Sequence, residues 1–227
     1  MKIGGLQKFS LIDFPGRFSA IVFAQGCNFR CPFCHNPELV LPEKFGPCIP
    51  EKEVFDFLKK RVGQLEGVVI TGGEPTIQPN LESFIREIKE LGFAVKLDTN
   101  GSNPQVLERL LSWLDYVAMD IKGPPKKYPK ISGAQVGIAA VRRSVGLIMS
   151  SDLDYEFRTT FVKPLLEVED FQEIGLLVSG AKRFALQKFV LSKHIRPDFP
   201  FEAPSDIELQ GAKKILLNFV EEVVIRE

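Results

Sequence analysis

Apolar and polar positions along this chain follow two alternating patterns: short unbroken apolar runs, and apolar stripes spaced three and four residues apart. The first suits strands buried on both faces, the second amphipathic helices. Ser19–Ala24 opens the series as a buried strand. Residues 51–65 follow with Val54, Phe55, Leu58 and Val62 at helical spacing. Residues 67–71 form a second apolar run, and Leu81, Phe84, Ile85, Ile88 and Leu91 a strong helical stripe. Asn80 is placed to cap that helix and Gly92 to stop it. Residues 93–97 predict a third strand, and Leu107, Leu110, Leu111 and Leu114 a helix with Pro104 near its start. The alternation continues with strands over 116–121, 154–162 and 184–191. A weaker helix lies over 136–148, another over 171–178, and Ala212, Ile215, Leu216 and Phe219 mark a last one. Proline-rich loops fall at 123–129 and 197–204. Residues 220–226 fit either helix or strand.

Strands alternating with helices imply right-handed crossovers and a parallel sheet. Six such units are too few for a closed eight-fold barrel. The expected fold is α/β, a partial, open (β/α)6 TIM-like barrel with a parallel sheet. With no repeat, low-complexity tract or linker to split it, the whole chain, 1–227, is expected to be one domain. Residues 1–17 precede the barrel and are expected to pack on its edge.

Lysine plus arginine number 29 and aspartate plus glutamate 29, a formal charge of zero. That balance argues against a coat for nucleic acid or anionic lipid, which needs excess basic charge. No apolar run approaches the roughly 20 residues of a membrane span. The first residues, Met1-Lys2-Ile3-Gly4-Gly5, lack the apolar core of a signal peptide. A cytoplasmic location is the expectation.

Three of the four cysteines, Cys27, Cys31 and Cys34, crowd into the loop that follows the first predicted strand; the fourth is Cys48. In a cytosolic chain such a cluster points to a metal rather than to disulfides. A structural zinc site takes four protein ligands. His35 or Cys48 could supply the fourth, although His35 directly follows Cys34, a poor chelating geometry. Alternatively, three thiolates match three corners of a four-iron cluster, with one iron left open. C-x3-C-x2-C directly after an apolar strand resembles the radical S-adenosylmethionine (SAM) superfamily, with a cluster-binding loop over 25–37. The resemblance implies one [4Fe–4S] cluster whose open iron chelates the amino and carboxylate groups of SAM. Reductive cleavage then yields methionine and a 5′-deoxyadenosyl radical.

Ligands of parallel α/β folds bind at the carboxyl ends of the strands. The second predicted strand ends in Gly72-Gly73-Glu74-Pro75, which resembles the superfamily's GGEP motif and implies a backbone contact to the SAM amino group. The third ends in Asp98-Thr99-Asn100, where Asp98 is a candidate for the ribose hydroxyls or a nearby cation. The fourth ends in Asp120-Ile121-Lys122, whose two charges point the same way on a strand. Arg158 lies within the fifth, and Lys193 and His194 follow the sixth. Beyond the cluster and SAM, no separate catalytic side chain is expected.

The Asp-Thr-Asn and Asp-x-Lys segments, with His35-Asn36 after the third cysteine, resemble the glycyl-radical enzyme activating branch. Together with Ser10–Gly16 (Ser-Leu-Ile-Asp-Phe-Pro-Gly), the chain looks most like anaerobic ribonucleoside-triphosphate reductase activating proteins. The implied partner is a glycyl-radical enzyme, anaerobic ribonucleotide reductase first among them, and the implied reductant a flavodoxin or ferredoxin. Two departures from the branch stand out. Asp13-Phe14-Pro15-Gly16 replaces Asp-Gly-Pro-Gly, and His194 lies later than the branch's histidine. Cys48 alone cannot anchor a second cluster and reads as a bystander. The competing readings are a radical SAM enzyme acting on a small molecule, as a deazapurine synthase does, and a zinc-bound structural module.

Overall fold

A computed structural model describes residues 1–135, 137–191 and 200–226. Eight strands form one sheet in the order of the chain. They are β1 (Ile3–Ser10), β2 (Ser19–Ala24), β3 (Gly67–Gly72), β4 (Ala94–Thr99), β5 (Tyr116–Asp120), β6 (Asp154–Phe161), β7 (Arg183–Lys188) and β8 (Glu222–Arg226). β1 runs antiparallel to β2; every later pairing is parallel. The helices are α1 (Pro37–Val40), α2 (Glu51–Lys59), α3 (Leu81–Glu90), α4 (Pro104–Leu110), α5 (Tyr128–Ser132), α6 (Ile138–Met149), α7 (Asp170–Leu177) and α8 (Asp206–Leu216). The expected open, partial barrel is what the chain adopts, with β1 and β8 as its two ends. None of the described helices is long and apolar enough to cross a membrane.

Each parallel strand has two buried faces, which is why the runs are continuously apolar. Val68, Ile70, Val95, Leu97, Val117 and Met119 face the helices and join the main core. Ile21, Val69, Ala94, Tyr116 and Ala118 face the lumen and pack with Phe14. Phe14 comes from the connection between β1 and β2. It is 2 % exposed, and its ring meets that of Tyr116 at 6.2 Å. The Arg17 guanidinium covers its other side at 5.4 Å. Gly67 makes the room: a Cβ there would lie 2.7 Å from the Phe14 ring. The amino-terminal segment therefore does more than pack on the edge. β1 extends the sheet, and Phe14 closes the lumen floor.

Several element ends differ from the sequence reading. α2 stops at Lys59, and Val62, placed on its apolar stripe, is 54 % exposed because the chain turns through Gly63 at positive φ. Asn80 does occupy the cap position of α3, but its amide donates to Glu51 Oε1 at 2.7 Å instead of capping. Gly92 stops that helix with φ +89, as expected. β7 ends at Lys188, leaving Val190 and Leu191 exposed. Residues 222–226 are strand, paired in parallel with β7.

Two close approaches seat the cysteine loop. The turn after β3 nests against the loop after β2: Gly73 N donates to Ala24 O and Glu74 N to Gly26 O, both at 2.8 Å. A Cβ on Gly73 would lie 2.0 Å from Gly26 O. From the other side, Arg30 N donates to Ser132 O at the end of α5 at 2.8 Å. The next residue, Gly133 (φ +63), leaves no space for a Cβ, which would fall 2.2 Å from Arg30 O.

Truncating the floor, Phe14→Ala, is expected to cost about 3–5 kcal/mol in urea unfolding. Gly73→Ala must push two backbone segments apart and is expected to cost about 1–3 kcal/mol. A melting temperature unchanged by Gly73→Ala would show that the two loops are not nested as described.

Candidate active site

At the carboxyl ends of β2 to β6 lies a cavity of about 240 Å³. The three clustered cysteines and every strand-end residue that the sequence puts forward for cofactor binding line it. The loop after β2 contributes Cys27, Cys31 and Cys34, the turn after β3 Gly72, Gly73 and Glu74, and the end of β4 Asp98 and Asn100. Asp120 and Lys122 enter from β5, and Arg158 from β6. His35, Asn36 and Thr99 line it too, and so do Phe29, Phe33, Val40, Thr71 and Thr160, for which the sequence suggests no role.

All three thiols are free, and burial pushes each of them up, Cys27 to about 12. The Lys122 ammonium opposes that shift at all three. Phe29 N donates to Cys27 Sγ at 3.3 Å, a bond that favours the charged sulfur. Thus a half-buried thiol trio faces one cation and backbone donors, a setting that suits sulfurs carried as thiolates on a metal. Among the described residues, no group of His, Cys, Asp and Glu is arranged to hold a single metal ion. A four-iron cluster is larger and takes its thiolates farther apart.

The proposed fourth zinc ligands are engaged elsewhere. His35 Nε2 sits 2.8 Å from Val190 O, and its ring packs on Phe189. Cys48 is exposed, and its thiol donates to Gln25 Oε1 at 3.2 Å. It does not line the cavity. Lys193 and His194 lie outside the described residues.

Across the cavity runs a ladder of alternating charge. Lys96 Nζ lies 3.3 Å from Asp98 Oδ1, and Arg158 Nη1 lies 3.1 Å from Asp98 Oδ2. Arg158 Nε then donates to Asp120 Oδ1 at 2.9 Å, and Lys122 Nζ to Asp120 Oδ2 at 2.8 Å. Burial pushes the Asp120 carboxyl up, but Arg158 and Lys122 outweigh it and hold it well below the usual carboxylate range. Asp98 is likewise lowered against its burial, by Arg158 and then Lys96. Lys122 and Arg158 are raised, because these carboxylates outweigh the burial that would neutralise them. The ladder sets three cations against two carboxylates, and Lys122 is the member that acts on all three thiols. Lys96 was overlooked in the sequence, although its spacing of two from Asp98 is the signal that singled out Asp120 and Lys122.

Glu74 and Asn100 are braces. Glu74 is 1 % exposed. Its Oε1 accepts from Thr76 N, Thr76 Oγ1 and Thr99 Oγ1, and its Oε2 from Asn100 N at 2.6 Å. Burial nevertheless leaves its carboxyl raised. Asn100 Nδ2 donates to Asn28 Oδ1 at 2.9 Å, and Asn28 Nδ2 to Ser102 Oγ at 2.8 Å. The β3 turn, the β4 exit and the cysteine loop are therefore one hydrogen-bonded unit. Glu74 has its side chain occupied within it, so only its backbone is open to a ligand.

The profile of the Radical SAM superfamily matches residues 21–177. A Methanocaldococcus jannaschii protein, provisionally named a glycyl-radical enzyme activating enzyme, is 34 % identical over 235 residues, covering 99 % of this chain and 95 % of that one. The pyruvate formate-lyase-activating enzyme of Clostridium pasteurianum is 34 % identical over 131 residues, 53 % of this chain and 52 % of that one. Among solved structures, Streptococcus suis SuiB bound to S-adenosylmethionine superposes with a TM-score of 0.66 at 14 % identity, over 91 % of this chain and 52 % of that one. A domain of pyruvate-formate lyase-activating enzyme from Bacteroides vulgatus gives 0.56 at 14 % identity, over 71 % of this chain and 99 % of that one. At such identities the two structures speak for the fold alone. Family match and full-length relative agree: the chain belongs to the radical SAM superfamily, whose members use a [4Fe–4S] cluster and SAM, and within it to the glycyl-radical enzyme activating branch.

Proposed function

We propose that the chain is an activase that removes one hydrogen atom from a glycine Cα of a partner glycyl-radical enzyme. Anaerobic ribonucleoside-triphosphate reductase is the first partner to test, with a flavodoxin or ferredoxin as reductant. One observation carries the reading: three thiols on a single loop share a cavity with the charge ladder at the strand ends. Its relatives along the full chain and along half of it bear activase names.

When bound, the cluster and SAM supply the reducing electron and the carbon radical that takes the hydrogen. The chain's own residues bind and orient. Cys27, Cys31 and Cys34 hold the cluster. The amide hydrogens of Gly73 and Glu74 are already taken by Ala24 O and Gly26 O. What the Gly72–Glu74 turn can offer a ligand is therefore carbonyl acceptors, which suit an ammonium group. Asp98 suits the ribose diol, since a carboxylate accepts from two hydroxyls. Lys122 and Arg158, locked to Asp120, present fixed positive charge to the thiolates and the SAM carboxylate. Their salt bridges set this geometry before any ligand arrives, so little reorganisation is left for binding. Asn100 steadies the cysteine loop through Asn28.

Anaerobic reconstitution with iron and sulfide, followed by reduction with SAM present, is expected to give about four irons per chain and 5′-deoxyadenosine by chromatography. With the reductase added, electron paramagnetic resonance is expected to show a glycyl radical on the partner. Deoxyadenosine formed without that radical, alongside turnover of a small molecule, would assign the chain to small-molecule chemistry instead. Cys31→Ala is expected to abolish iron loading and SAM cleavage, whereas Cys48→Ala is expected to spare both. Iron lost on replacing Cys48 would overturn the ligand assignment.

A further inference from the structure

Lys96 is a buried charge that the proposed chemistry leaves without a task. It lies in a strand whose Val95 and Leu97 face the helices, and it points with Ala94 and Asp98 along the other face, into the lumen. It is 3 % exposed. Burying an ammonium is costly unless it is paired and hydrogen-bonded, and an apolar side chain of that length would fill the same space.

Its surroundings show how it is held. Lys96 Nζ donates to the carbonyl oxygen of Asp13. Below it lies the ring of Tyr116, 5.6 Å from the ammonium, and against Tyr116 packs Phe14, the residue after Asp13. The floor loop thus grips the ammonium from beneath. On its upper side is Asp98 Oδ1, 3.3 Å away. That oxygen is buried, yet it makes no hydrogen bond among the described residues. Asp98 Oδ2, by contrast, accepts from Arg158.

We infer that Lys96 is a positioning residue for Asp98, and that the floor loop carrying Asp13 and Phe14 holds it in that role. Lys96 pairs with Oδ1 from beneath and stabilises the carboxylate charge. With Oδ1 held there and Oδ2 held by Arg158, the carboxylate is kept ionised at a fixed angle, which is what recognition of a ligand diol needs. The Asp13 carbonyl and the Tyr116 ring keep it down. The amino-terminal segment thereby reaches the cofactor pocket without lining it. Phe14 has a second purpose besides filling the lumen: it fixes the height of one ammonium.

The inference rests on the reading that Asp98 faces the ribose of bound SAM, and the test separates the two. SAM binding is measured by equilibrium dialysis on the cluster-loaded, unreduced protein, in a cycle of Lys96→Met, Asp98→Asn and the double variant. Lys96→Met is expected to weaken SAM about tenfold with iron content unchanged, and to have no further effect once Asp98 is Asn. An unaltered affinity in Lys96→Met, or a loss that simply adds to that of Asp98→Asn, overturns the inference. Asp98→Asn with unchanged affinity overturns instead the assignment of Asp98 to the ribose, and the inference with it. Should Lys96→Met fail to fold, Lys96→Gln, which keeps a donor for the Asp13 carbonyl, is read by the same criteria. Phe14→Leu approaches from the other end. It is expected to weaken SAM about two- to threefold in the parent protein and not at all in the Lys96 variant; equal losses in both would sink the link through the floor.

Discussion

The site depends on a backbone contact that involves no reactive side chain. The cysteine loop leaves β2 and is pinned at once to the turn after β3, Gly73 to Ala24 and Glu74 to Gly26. This is possible because Gly73 has no Cβ. Parallel neighbours place their exits side by side, so the thiols and the Gly-Gly turn arrive at the same height. Glu74 then extends the joint to β4, and Asn100 returns it to the cysteine loop. A ring of short hydrogen bonds takes the place of the closed barrel's rim and makes an open sheet rigid at one end.

Within that frame, electrostatics decide the states of the side chains. Burial alone would favour neutral carboxyls and neutral lysine. Pairing in series reverses this for Asp98, Asp120, Lys122 and Arg158. The thiols show the opposite outcome: with only Lys122 and a few backbone donors to help, burial prevails and pushes them up. The carboxylates and cations of the cavity are thus set in their charged states by one another, whereas the thiols have no comparable set of partners.

Much of this was readable from residue order, for identifiable reasons. Strands buried on both faces leave unbroken apolar runs, so the parallel alternation was plain, and strand ends then pointed to the cavity. What escaped depends on distant partners. Phe14 looks like any apolar residue in a loop; only the lumen formed by β2 to β5 makes it a plug. Residues 222–226 flank a single neighbour, and edge strands carry weak patterning. Asn80 had the right cap chemistry, but Glu51 competed for its amide. Lys96 was hidden by its setting, one charge in an apolar run. Val62 shows the converse error, since a stripe can outlast the helix that it seems to define.

The alternating ladder restricts how this interior can change over time. Lys96, Asp98, Arg158, Asp120 and Lys122 each neutralise a neighbour two residues along the chain or one or two strands across. Replacing any one of them leaves its neighbour short of a counter-charge, and the compensating change falls either two residues away or on another strand. Drift at these five positions is therefore concerted. A lineage that altered one would have to alter a partner as well, so the five positions would change as a group rather than singly.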